Sequence, residues 1–268
     1  MINRYSKHKI FNKFGSPFSE SEYSLFKFGD TSFAEKFAKE LFQGFIVEHK
    51  DWILSNDEII ITASPHYSIP TASNFLCHYF KKELNFFLYE NDKKSCIESK
   101  IYRTQTYTQD YGEMNFEQRI QLISNDTYYI DQNFINEKCC IFLDDIKITG
   151  SHEYIVNKIL SDNQIKGNFI FIYYAELMNM EIEPNIENYY NYYALIDYTD
   201  LIALLTNANF KFNTRVVKYI LKLNQSNFIE IMEHLPTHQK KELFELAISN
   251  NYHHISEYKQ NLKFLNTT

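Results

Sequence analysis

The residues most able to do chemistry in this 268-residue chain lie between positions 140 and 152. Cys140-Ile141-Phe142-Leu143 is a four-residue apolar run that reads as a buried strand, so Asp144 and Asp145 are expected at its C-terminal edge. Ile148-Thr149-Gly150-Ser151-His152 then reads as a turn opening a helix. Such a turn gathers backbone N–H groups at a helix N-terminus, where the dipole and the unpaired amides both favour an anion. Gly150 permits close backbone approach, and Thr149 and Ser151 add donors, so phosphate is the expected guest. Two carboxylates alone would repel it. They suit vicinal hydroxyls instead, and a shared Mg²⁺.

Two other polar segments are candidates for the same site. Ser64-Pro65-His66-Tyr67-Ser68 follows an apolar run and could offer backbone amides to a second anion. Arginine occurs only at Arg4, Arg103, Arg119 and Arg215, so two of four falling between residues 100 and 119 is informative. Guanidinium suits bidentate pyrophosphate binding, and Lys100 adds a further cation. A long polar stretch inside a domain is uncommon and often functional.

The elements that must position these residues follow a repeated pattern. Asp30-Thr31-Ser32 offers N-caps for a helix carrying Phe33, Ala34, Phe37, Ala38, Leu41, Phe42, Phe45 and Ile46 at helical spacing. Residues 58–63 read as a buried strand and a helix is expected from about Pro70. A short strand is expected at Phe86–Tyr89, the central strand at 139–143, a helix through Tyr154, Ile155, Ile159 and Leu160, and strands at 169–175 and 192–196. Strands alternating with helices predict a parallel α/β sheet with ligands at the strand C-terminal ends. Helical periodicity alone continues at 201–208, 213–223, 226–234, 237–249 and 253–262. The expected organisation is an α/β domain over residues 1–200 and a helical extension over 201–268.

Composition narrows the class. With 44% hydrophobic and 23% charged residues the chain is globular, and its net charge of −7 disfavours a general nucleic-acid binder. Residues 211–268 hold eight Lys or Arg against five Asp or Glu, so the tail is mildly basic on an acidic body. Cys77, Cys96, Cys139 and Cys140 lack C-x-x-C spacing and fit reduced, buried thiols. The N-terminus lacks a signal-peptide pattern, and no apolar run approaches the roughly 18 residues of a membrane span, so a cytoplasmic protein off the membrane is expected.

The order apolar run, Asp144-Asp145, apolar residue, two residues, Thr149-Gly150 resembles the phosphoribosyl pyrophosphate (PRPP) signature of type I phosphoribosyltransferases, with His152 where that family has Thr. Tyr193-Ala194-Leu195-Ile196-Asp197-Tyr198 is similar, with one residue inserted, to a purine phosphoribosyltransferase segment whose Asp lies near Mg²⁺. Together with Tyr23-Ser24-Leu25-Phe26-Lys27-Phe28-Gly29-Asp30, these segments look like the ComF-like phosphoribosyltransferases of bacterial stress and tellurite-resistance operons. The resemblance covers roughly residues 20–200.

It implies a type I phosphoribosyltransferase-like parallel sheet flanked by helices. It also implies an enzyme of nucleotide metabolism that joins PRPP, with Mg²⁺, to a small nitrogenous acceptor and releases pyrophosphate. Asp144 and Asp145 would contact the ribose hydroxyls, residues 148–152 the 5′-phosphate, and Ser64 to Ser68 the pyrophosphate, the last through a strained or cis peptide for which Ser64-Pro65 is suited. Arg103, with Lys100 and Arg119, would neutralise the departing pyrophosphate, and Asp197 would lie near the metal, its alternative being a helix N-cap. The rival from another class is a non-catalytic PRPP or nucleotide sensor signalling through the helical tail, which is also a candidate dimerisation surface. If the two carboxylates serve only a ligand, replacing both with Asn leaves stability nearly intact.

Overall fold

The computed structural model describes residues 3–103, 114–124 and 128–267. Its strands are β1 (Asn3–Ile10), β2 (Ile59–Ala63), β3 (Ile97–Glu98), β4 (Tyr102–Arg103), β5 (Tyr128–Tyr129), β6 (Lys138–Lys147) and β7 (Gly167–Leu177). β4 and β5 form a small antiparallel pair, and the others make one parallel sheet in the order β1-β7-β6-β2-β3. The helices around it are α1 (Glu20–Lys27), α2 (Thr31–Leu54), α3 (Ala72–Glu90), α4 (Phe116–Ser124), α5 (Gln132–Ile135), α6 (Ser151–Asp162) and α7 (Ile186–Tyr192).

Alternation along the strands builds two cores, because successive side chains point to opposite faces. Ile59, Ile61, Cys139, Ile141, Leu143, Ile170 and Ile172 pack with α1, α2 and α3, where Phe37, Leu41, Phe45, Leu76, Phe80 and Leu84 are buried. Ile60, Cys140, Phe142, Phe171 and Tyr173 turn the other way and meet Val156 and Leu160 of α6. Burial of each such large side chain contributes about 1.5–3 kcal/mol. The helix after β2 therefore lies on one face and the helix after β6 on the other, although β2 and β6 are hydrogen-bonded neighbours. Connections that diverge in this way open a crevice at the strands' C-terminal ends.

The C-terminal region comprises α8 (Tyr198–Leu205), α9 (Thr214–Lys222), α10 (Gln225–His234), α11 (Thr237–Ser249), 3₁₀ turns at Tyr252–His254 and Ser256–Tyr258, and α12 (Lys259–Leu265). Its own core, including Val216, Val217, Ile220, Phe228, Leu243 and Tyr258, also takes in Phe28, Ile69 and Leu195 from the body. Backbone bonds tie it down: Lys211 N donates to Gly29 O at 2.9 Å and Thr214 N to Pro70 O at 2.9 Å. Gly29 sits at φ +97°, and a Cβ there would lie 2.2 Å from Lys211 O, so this junction needs glycine. No helix among the described residues is long and apolar enough to cross a membrane.

The strands expected at 58–63 and 169–175 are found as β2 and β7, and the helix from Asp30, whose carboxylate caps Ser32 N, and the C-terminal helices also follow the sequence reading. Four expectations are corrected. Phe86–Tyr89 is the last turn of α3 rather than a strand, because Leu84 and Leu88, four residues apart, are the buried pair while Phe86 and Tyr89 face solvent. Residues 192–196 are the end of α7 and a turn rather than a strand. The Ser64–Pro65 bond is trans. β6 runs on to Lys147, so Asp144 and Asp145 lie within the strand rather than beyond it. β1 and the two-residue strands β3, β4 and β5 escaped the sequence reading; Asn3–Ile10, mostly polar, forms the sheet edge beside β7, burying only Tyr5 and Ile10.

Candidate functional site

The placement of Asp144 and Asp145 inside β6 determines what each can do, since neighbours on a strand face opposite ways. Asp145 turns toward α1, where it is buried, accepts a hydrogen bond from Tyr23 Oη and pairs with Lys27 Nζ at 2.6 Å. Burial, followed by the adjacent Asp144 charge, raises its carboxyl above the usual range, with Lys27 opposing. Asp144 turns toward α6 and the crevice. It accepts from Ser64 Oγ at 2.6 Å and Asp145 N at 2.9 Å, and meets His152 Nδ1 at 3.0 Å. Burial alone would raise its carboxyl, but His152, Ser64 and Lys27 hold it down to about 2. Asp144 faces the crevice, whereas Asp145 is tied to the framework. His152 swings toward Asp144, so the residue that departs from the family pattern orients a carboxylate.

The cradle at 148–152 is built by Gly150, which stands at the α6 N-cap in the left-handed region, φ +75°, with no side-chain cap. Thr149 Oγ1 bonds Ser151 Oγ at 3.2 Å, holding both hydroxyls in the turn. Glu153, one residue on, would oppose a phosphate, but it is buried and bound by Arg4, with Nε donating at 2.8 Å and a second guanidinium contact, and by Tyr173 Oη at 2.9 Å. Glu176 likewise takes Lys147 at 2.9 Å and Arg4 at 3.2 Å.

These groups open into a cleft of about 1240 Å³ lined by Ser64, Asp144, residues 146–153, Arg103, Arg119 and the α9 residues Arg215, Lys218 and Lys222. Three of the four arginines of a net-negative chain thus line one cleft, and the fourth neutralises a carboxylate at its wall. Such concentration of cations focuses potential on anionic ligands. Arg119 is nearly buried, pairs with Glu187 at 2.8 Å and donates from Nε to Met114 O at 2.8 Å. Arg103 Nη2 donates to Tyr128 Oη at 3.2 Å. Positions 104–113 of the long polar stretch lie outside the described residues.

The connection after β2 divides at Pro65. Ser64 and Pro65 line the cleft, whereas the amides of Ser68 and Ile69 donate to Asn250 Oδ1 of the C-terminal region at 3.0 and 3.1 Å. Lys100 Nζ donates to Tyr67 O at 2.9 Å and Asn251 Nδ2 to Tyr67 Oη at 2.9 Å. The helical tail therefore holds the connection after β2 in shape. Asn250→Ala leaves two amides without that acceptor and is expected to cost about 1–3 kcal/mol in urea denaturation. Burial, followed by the Lys100 charge, pushes His66 down to about 4. An imidazole held neutral in the fold binds its proton first in the unfolded chain, so its contribution is complete above about pH 6.5 and is lost as pH falls toward 4. The melting temperature should accordingly fall between pH 7.5 and pH 5, and fall less in His66→Asn.

Asp197, for which the sequence offered a place near a metal or a helix N-cap, is the N-cap of α8, exposed and accepting from Thr199 N at 2.7 Å. It is not among the described residues lining the cleft. No group of three or more His, Cys, Asp or Glu among the described residues could hold a metal. The cleft-facing carboxylate of Asp144 is a donor that fits a Mg²⁺ ion keeping most of its waters. Sequence reasoning missed Tyr23 and Lys27 as the partners of Asp145, and the α9 cations. The latter were legible as Arg215, Lys218 and Lys222 alternating with the apolar Val216, Val217, Ile220 and Leu221.

A parallel α/β protein with a carboxylate and a glycine turn at its topological switch point is the class these features define. The chain belongs to the family described as PRTase ComF-like, a phosphoribosyltransferase family, which matches residues 1–265 and so takes in the helical region as well. No curated protein matches it. Similar solved structures include an adenine phosphoribosyltransferase, at 15% identity over 53% of this chain and 70% of that one, TM-score 0.32. A hypoxanthine-guanine phosphoribosyltransferase from Bacillus anthracis str. 'Ames Ancestor' shares 15% identity over 55% and 68%, TM-score 0.31. A hypoxanthine phosphoribosyltransferase from Trypanosoma cruzi shares 11% over 56% and 78%, TM-score 0.33.

Proposed function

We propose that this chain is a phosphoribosyltransferase that uses Mg²⁺-bound PRPP and a nitrogenous acceptor. The observation that carries the reading is Asp144, ionised and aimed into a cation-lined cleft beside the Thr149–Ser151 turn. In this reading the turn and the first turn of α6 hold the 5′-phosphate, and Asp144, steadied by Ser64 and His152, accepts hydrogen bonds from the ribose hydroxyls. The acceptor nitrogen lone pair forms the bond to C1′ as the C1′–O bond breaks and pyrophosphate leaves with that electron pair; an acceptor nitrogen that carried an N–H then releases its proton to solvent, whereas a pyridine nitrogen, which has none, remains as the pyridinium. In this reading Asp144 meets the positive charge that develops on the ribose, and Arg103 the negative charge that develops on the leaving group. Positioning and charge stabilisation therefore supply the rate. When bound, Mg²⁺ supplies neutralisation of the pyrophosphate. The four unpaired, buried cysteines support a reducing compartment such as the cytoplasm.

A second reading, a PRPP or nucleotide sensor, is favoured by one observation: the tail reaches the site itself, through Asn250 on the Ser68–Ile69 amides and α9 on the cleft wall. Pyrophosphate release from PRPP across a panel of purines, pyrimidines and pyridine carboxylates separates the two. Release with any acceptor supports transfer; saturable PRPP binding without release across the panel overturns transfer and supports sensing.

A further inference from the structure

The cleft has two walls, and the second is made by α9. Val216, Val217, Ile220 and Leu221 are buried in the helical core, which fixes the rotation of the helix. Arg215, Lys218 and Lys222, at i, i+3 and i+7, are thereby directed together onto the cleft. α9 carries three cations and no acid, in a chain of net charge −7. Tyr192 and Tyr219 line the same wall, and the Arg215 guanidinium lies over the Tyr192 ring at 5.5 Å.

We infer that α9 is the acceptor-recognition wall and that the acceptor is a planar molecule bearing its own anionic group, a carboxylate or a phosphate. This rests on the phosphoribosyl reading of the facing wall. The ring lies against Tyr192 and Tyr219 and the anion meets Arg215, Lys218 and Lys222, a role that in this chain falls to the helical region and explains why that region is packed onto the site.

The test uses the full chain saturated with Mg²⁺-PRPP and two matched pairs of probes, nicotinate against nicotinamide and adenosine 5′-monophosphate against adenosine, with affinities read by calorimetry. At least one anionic member should bind about tenfold or more tighter than its neutral partner, the ratio one charge-assisted hydrogen bond supports. Preference within the first pair alone identifies a carboxylate, and within the second alone a phosphate. The preference should collapse toward unity in R215Q/K218Q/K222Q and weaken in K222Q, whose side chain is exposed and whose loss leaves the core of α9 intact. No preference in either pair, or a preference that survives the triple variant, overturns the inference. If PRPP does not bind the wild-type chain, the phosphoribosyl reading fails by itself, and the same pairs titrated without PRPP still decide whether α9 selects an anion.

Discussion

Asp144→Asn is expected to weaken Mg²⁺-PRPP binding by about a hundredfold or more, because the proposed function gives Asp144 two charge-assisted hydrogen bonds to a ribose diol and each would contribute about 1.5–3 kcal/mol. Asn has nearly the same volume, so the cleft keeps its shape. The substitution also costs stability, since the carboxyl is held near 2 against an ordinary 3.8, a difference of about 2 kcal/mol in favour of the folded state. A depressed carboxylate contributes fully above its unfolded value and ceases to contribute as pH falls through its folded value. The stability gap between wild type and variant should therefore be complete above about pH 4 and close toward pH 2. Calorimetric titration at pH 7 and urea denaturation along a pH series measure the two effects. Unchanged PRPP affinity in a folded Asp144→Asn chain would remove the role assigned to this residue.

Lys27→Met carries the largest expected effect on folding. It strands Asp145, buried with only Tyr23 left as a side-chain partner. Breaking one side of a buried ion pair costs about 3–5 kcal/mol, mostly through the charge left behind. Burial already raises the Asp145 carboxyl, so without Lys27 it takes up a proton and part of the loss is relieved at low pH. Lys27→Met/Asp145→Asn should be more stable than the sum of the two single changes by well over 1 kcal/mol, as contacting residues are not additive. Strict additivity in denaturant melts would show that the pair is not coupled. The same pair overturns the expectation that replacing both carboxylates leaves stability nearly intact, because Asp145→Asn strips Lys27 of its partner.

What the sequence made legible follows the strength of each local signal. The strand, acid pair, glycine turn and helix at 139–162 were readable because apolar runs and a left-handed glycine leave compositional marks. The fate of each acid was not, since it depends on where β6 ends: a strand continuing to Lys147 sends Asp144 and Asp145 to opposite faces, and the continuation is set by pairing with β7 as far as Glu176. β1 was missed because an edge strand buries little, two residues of eight here. Phe86–Tyr89 misled because a run of aromatics suits a strand equally well, and only the helix that precedes it decides. The tail's role was hidden for a different reason. Asn250 on Ser68 and Ile69 joins residues more than 180 positions apart, a contact that no local pattern announces.

Titration of the full chain with PRPP by isothermal calorimetry, with and without Mg²⁺, bears most directly on the reading of Asp144 and the 148–152 turn as a phosphoribosyl site. The account predicts saturable binding of one PRPP per chain that strengthens with Mg²⁺ and is competed by ribose 5-phosphate. Absence of saturable binding at millimolar PRPP with Mg²⁺ present would contradict it.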